Sequence, residues 1–206
     1  MRWLHTAFFF SSALLLLCAN AGAALYAGTP QQVLPKATVL QLAARDALEL
    51  PELGWLRDNR AAPGFLANLN RVVNISRYVE ELPGQDAWQR PRTLFRHGGD
   101  CEDFAIAKYG VLRALGMNAA RLRVLVVAQR DNGEFHAILA VTAANGDWIG
   151  LDNRRSEPWQ SAEFLKVYKP LYAVNESGVW LYDQSNLLLS TQTPNNQGVF
   201  AVRPSR

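Results

Sequence analysis

The hydrophobic period of the chain changes once, and that change restricts the folds open to it. Up to Gly116 apolar residues recur every three to four positions, whereas from Leu122 they alternate or run continuously between turn signals. Phe65, Leu66, Leu69, Val72, Val73 and Val79 predict one amphipathic helix over 63–82, stopped by Pro83-Gly84. After a loop holding Trp88, Pro91 and Gly98-Gly99, a second stripe of Phe104, Ala105, Ala107, Val111, Leu112 and Leu115 predicts a helix that begins after Asp100 and stops at Gly116. Strand character follows at Leu122–Ala128, Glu134–Thr142 and Asp147–Leu151, with turn signals at Asp131-Asn132-Gly133 and Asn145-Gly146. Tyr172–Asn175 and Val179–Tyr182 flank Glu176-Ser177-Gly178 and add a hairpin. Without an internal repeat, this order describes an α+β domain, with N-terminal helices packed on an antiparallel β-sheet.

At 206 residues, 49% apolar and 19% charged, the chain has the balance of a globular protein and can bury a core without staples. Its net charge is only +3, with no lysine or arginine block and no zinc-finger spacing, so nucleic acid is not an expected partner. Arg2 and His5 precede an apolar run from Ala7 to Leu17 and the small residues Ala19, Ala21 and Ala23, which read as a secretory signal peptide over 1–23. The run is shorter than the roughly 20 residues a spanning helix needs. Leu17 just before Cys18 argues against a lipidation box. Removal of the signal leaves Cys101 as the lone thiol of an exported chain, with no intramolecular disulfide. Residues 24–58 are read as a leader and N-terminal segment, with little structure expected up to Lys36. The functional domain is placed at 59–183 and a loose polar tail at 184–206.

Cys101 stands at the first position of the second helix, in Gly98-Gly99-Asp100-Cys101-Glu102-Asp103-Phe104-Ala105. Asp100 is the natural N-cap, and Asp103, three residues on, its capping-box partner. Orphan amides and the positive end of the helix favour a thiolate and can stabilise an oxyanion on a substrate carbonyl. The charges of Asp100, Glu102 and Asp103 oppose the thiolate, so a histidinium, a cation or a turning-away of the carboxylates has to offset them. His136, on an alternating strand after the cysteine helix, is the better placed base; His97, in a glycine-flanked loop, is read as solvated. Asp152, at the end of the next strand, is the candidate orienter of the imidazole. A three-residue turn centred on Asn145 pairs position 136 with 154 and makes His136 and Asp152 diagonal neighbours; a two-residue turn puts them on opposite faces. Trp88 is read as core. Arg154 and Arg155 are read as a solvated pair, with an acidic region of a substrate or regulator as the functional alternative.

Gly-Asp-Cys-Glu-Asp-Phe-Ala at 99–105, a histidine in an alternating strand at 136 and Leu-Asp-Asn at 151–153 are the residues by which the chain resembles the bacterial transglutaminase-like cysteine proteinases, from about Asn59 to Tyr182. The resemblance implies a papain-like or transglutaminase-like core and a Cys-His-Asp triad, falling in order on Cys101, His136 and Asp152. It implies calcium held by the acidic residues beside the cysteine, here Asp100 and Glu102. It also implies a periplasmic protease that processes a protein substrate such as a large surface adhesin, under an inner-membrane receptor for cyclic di-GMP. The expectation is therefore an exported cysteine endopeptidase. The alternatives are an acyl transferase, since an amine can resolve the same thioester, and a non-catalytic calcium-dependent binding module.

Overall fold

The computed structural model describes residues 30–82, 86–143, 146–182 and 188–191. The expected signal peptide lies outside them, and among the described residues no helix is long and apolar enough to cross a membrane. Helix α1 (Pro30–Leu48) begins inside the stretch expected to have little structure. Proline is tolerated in a first helical turn, and burial of Leu40, Ala43 and Ala47 on one stripe supplies what local signals lacked. A 3-10 turn (Pro51–Leu53) leads to the short α2 (Gly54–Asp58).

Helix α3 (Phe65–Asn74) is shorter than the predicted 63–82. Beyond it the backbone pairs with another segment: Gly99 donates to the Arg77 carbonyl (3.2 Å), and Val79 donates to that of Gly99 (2.9 Å). Ile75, Val79 and Leu82 are exposed, so no core rewards continuing the helical stripe. The predicted loop before Asp100 contains α4 (Pro91–His97), which has proline at its start and Leu94 buried beneath it.

Helix α5 (Cys101–Ala114) is the centre of the molecule, with every residue from Glu102 to Leu112 buried. Its close approach to α1 requires Gly110, where a Cβ would meet the Ala43 carbonyl oxygen at 2.6 Å.

The sheet contains β1 (Leu122–Gln129), β2 (Phe135–Thr142), β3 (Trp148–Leu151), β4 (Trp159–Gln160), β5 (Tyr168–Asn175), β6 (Gly178–Tyr182) and β7 (Leu188–Thr191). Their order is β4-β3-β2-β1-β5-β6-β7, every pair antiparallel. Helix α6 (Ser161–Val167) joins β4 to β5. Three features differ from the sequence reading. The β4–α6 unit is too short to carry a period. Strand β5 extends back to Tyr168 because Pro170 sits where the β1–β5 register shifts, a position at which a strand inside a sheet accepts proline. Strand β7 lies within the tail read as loose.

The central strands are buried nearly throughout, and successive residues pack on opposite faces. Val124, Leu139, Val141 and Leu151 pack with α1, α3 and α5, while Leu125, Ile138, Ala140 and Trp148 pack with Phe164 of α6 and with Tyr168 and Trp180. The expected α+β arrangement, helices against an antiparallel sheet in the papain-like manner, is the arrangement observed.

Candidate active site

Two glycines carry the chain into α5. Gly98 has φ +85°, and a Cβ on it would meet the Arg77 carbonyl oxygen at 2.5 Å. A Cβ on Gly99 would meet Asp103 Oδ2 at 2.2 Å. Asp100 then caps the helix from extended backbone in a capping box, in which the Asp103 carboxylate accepts the Asp100 N–H (3.3 Å). Asp103, fully buried, also accepts from the Gln89 backbone N–H (2.8 Å) and from Gln89 Nε2 (3.0 Å), which ties the entry loop to the helix. It is structural, as its spacing predicts.

Cys101 occupies the first helical position and is half-buried. Its thiol lies 3.3 Å from Glu102 Oε2, and the backbone amide of Ala137, the neighbour of His136, is near enough to act to lower its pKa. Burial, then Glu102 and then Asp100 push the thiol well above its ordinary range. Burial and Glu102 push Asp100 up to about 8, and burial raises Glu102 as well. Glu81 completes the cluster: ligand oxygens of Glu81, Asp100 and Glu102 lie within 4.8 Å of one another. Asp100 Oδ1 is buried without a hydrogen-bond partner. An all-oxygen set of three crowded carboxylates, one oxygen unsatisfied, suits a hard divalent cation. Asp100 and Glu102 are legible from their positions beside the cysteine. Glu81 is not, because that segment reads as helix and meets Asp100 only through the Tyr78–Gly99 bridge.

His136 and Asp152 are brought together. Nε2 of His136 is 2.8 Å from Asp152 Oδ1, and both side chains are fully buried. The observed register, Leu139 opposite Leu151 and Thr142 opposite Trp148, extends to place 136 opposite 154 and makes the pair the expected diagonal neighbours. Asp152 Oδ1 also accepts the Arg154 N–H (2.9 Å), and Oδ2 accepts Trp159 Nε1–H (2.9 Å). Burial alone would push the Asp152 carboxyl up. The bonds from His136, Arg154 and Trp159 and the charge of His136 overcome it and hold the group at about 2. An ionised carboxylate only accepts, so Nε2 carries the proton and Nδ1 is left as the basic nitrogen. Nδ1 is buried and has no hydrogen-bond partner. The thiol is not bonded to it in this conformation, since its side-chain bond is to Glu102.

Four residues of the site had no signal in the sequence. Trp159 holds the second Asp152 oxygen. On α3, Asn74 Nδ2 donates to the carbonyls of Asp152 and Arg155 (both 2.9 Å), and Asn70 Nδ2 donates to those of Arg155 (2.6 Å) and Ser156 (3.1 Å). Lys108, two turns along α5 from Cys101, is fully buried, its Nζ without a hydrogen-bond partner. Burial lowers it to about 7, with the charge of Asp152 acting the other way. These partners lie 7 to 86 positions from the triad candidates or the loop they hold, and no capping, turn or periodicity signal links them. His97 is exposed at the end of α4, away from this cluster, and Trp88 is buried in the core. Arg154 pairs with Glu134, but Arg155 is not freely solvated: its guanidinium lies 3.6 Å from the centre of the Trp159 ring.

The profile of a family described as bacterial transglutaminase-like cysteine proteinase matches residues 61–186. Among solved structures, calcium-bound LapG from Legionella pneumophila is similar, with TM-score 0.57 and 27% identity over 73% of this chain and 86% of that one. The EGTA-treated form of the same protein gives TM-score 0.58 and 27% identity over 77% of this chain and 88% of that one. No curated protein matches the sequence.

Proposed function

Because the chain belongs to the bacterial transglutaminase-like cysteine proteinases and is a cysteine peptidase of that family, we propose that Cys101, His136 and Asp152 form its catalytic triad. The observation that carries this reading is the buried 2.8 Å pair of His136 and Asp152, which leaves the basic Nδ1 without a partner close to the backbone neighbour of the thiol. His136 Nδ1 takes the thiol proton as Sγ turns from Glu102 and bonds to the substrate carbonyl carbon. The amides at the start of α5 receive the oxyanion. The C–N bond breaks as the imidazolium returns the proton to the leaving amine. Water, deprotonated by the same nitrogen, then hydrolyses the thioester, and Asp152 stabilises the imidazolium in both halves.

Glu81, Asp100 and Glu102 are the residues that would hold calcium, and the similar LapG structure is calcium-bound. Bound there, the ion supplies positive charge that offsets the carboxylates opposing the thiolate. The signal-like N-terminus supports export to the periplasm, and the family resemblance supports a surface adhesin as substrate and an inner-membrane cyclic di-GMP receptor as regulator.

The test is cleavage of surface and secreted proteins from the source cells, by wild type and by Cys101→Ala, with calcium and with a chelator. A discrete product is expected that disappears in Cys101→Ala and on chelation. A product unaffected by Cys101→Ala overturns the triad reading, and one indifferent to chelation overturns the calcium reading.

A further inference from the structure

A cleft of about 320 Å³ opens between the end of α3 (Arg71, Asn74, Ile75) and the loop 153–156 that follows β3. It adjoins the candidate triad on the Asp152 side: Asn74 holds the Asp152 carbonyl, and Arg154 donates its backbone N–H to the Asp152 carboxylate.

Its charge is unbalanced. Arg71 is paired with Glu157 and Arg154 with Glu134. Arg155 has no carboxylate partner among the described residues; its guanidinium carbon lies 3.6 Å from the centre of the Trp159 ring, a cation–π contact that restrains the side chain and uses none of its N–H groups. The indole beneath is itself pinned to Asp152. The acidic cluster of Glu81, Asp100 and Glu102 is separate from the cleft, beside the thiol, and contributes none of the cleft's lining.

The geometry points to Arg155 as the anchor of a carboxylate subsite in this cleft, which selects polypeptide substrates carrying a glutamate or aspartate on one side of the scissile bond. The inference rests on the peptidase reading for its meaning but not for its detection. A planar fork with two parallel N–H groups suits a carboxylate and gains little from the corresponding amide.

Binding is read first, without turnover, on 15N-labelled Cys101→Ala protein. The probes are N-acetylglutamate α-amide, N-acetylglutamine α-amide and N-acetylglutamine free acid, followed through the Trp159 indole N–H and the Arg155 guanidinium signals. The glutamate amide should bind about fivefold more tightly than the glutamine amide, and Arg155→Gln should remove the difference while Arg155→Lys keeps part of it. Equal binding of the two amides, an unchanged ratio in Arg155→Gln, or preference for the free acid alone overturns the proposal; the last describes a reader of chain ends. Second, wild-type protein with calcium is given a mixed peptide library and its cleavage sites are sequenced. Acidic residues enriched on one side of the cut support the subsite, and their absence from that side overturns it. If the glutamate amide binds selectively and no Cys101-dependent cut is found in any peptide or protein, the subsite stands and the peptidase reading falls.

Discussion

Asp152 is the carboxylate that holds the imidazole of His136. Its carboxylate sits in a fully buried position and is kept ionised by three hydrogen bonds, those of His136, Arg154 and Trp159. A carboxyl held at about 2 against an ordinary 3.8 favours the folded state by about 2 kcal/mol above pH 4. The folded value is the lower one, so this contribution is present above the unfolded pKa and is lost as pH falls from about 4 through about 2. Urea unfolding measured between pH 5 and pH 2 should therefore show wild type losing about 2 kcal/mol more than Asp152→Asn. Parallel curves for the two proteins would mean that the carboxylate is not held by these bonds. His136 was recognisable from its strand, and Asp152 from the next strand's end. Which nitrogen faces the carboxylate follows only from the folded geometry.

Helix α3 acts as a clamp on the loop that bears Asp152. Asn70 and Asn74, one turn apart, place two amide groups on four carbonyl contacts spanning Asp152 to Ser156. Neither loop carbonyls nor asparagines of this kind announce themselves, because their partners are some 80 residues away in the chain. Asn74→Ala leaves the Asp152 and Arg155 carbonyls without these donors, which should destabilise the protein by about 1–3 kcal/mol. It should also lower kcat/KM about tenfold by loosening the Asp152 loop. Thermal unfolding and kinetics on one substrate check both, and full activity in a destabilised variant would reduce the asparagine to a scaffold residue. The same helix shows where periodicity misleads: Val79 keeps the apolar spacing but belongs to an extended segment paired with Gly99.

At the scale of the whole molecule, segments distant in the chain bring three carboxylates together at the start of α5. Glu81, Asp100 and Glu102 repel one another in a half-buried position, so a divalent cation that binds them should stabilise the fold by mass action. With millimolar calcium in place of EGTA, Tm should rise by about 5–10 °C, and Glu102→Gln should lose most of that rise. Identical Tm values in calcium and EGTA would remove the cation from the site. The two faces of the seven-stranded sheet are covered by different helices, and β2 packs directly on α5.

The motif around Cys101, the capping residues Asp100 and Asp103 and the helix-then-sheet order follow from local spacing. Capping and periodicity act over a few residues, so one strand of text carries them, whereas the turn length that sets His136 against Asp152 was open between two registers until the β2–β3 pairing chose the diagonal one. The start of α1, the early end of α3, Glu81 beside Asp100, Trp159 and Asn74 on Asp152, and Arg155 on Trp159 come from segments far apart in the chain. Their energies are those of burial and of hydrogen bonds between distant groups, which exist only once the sheet and helices have packed.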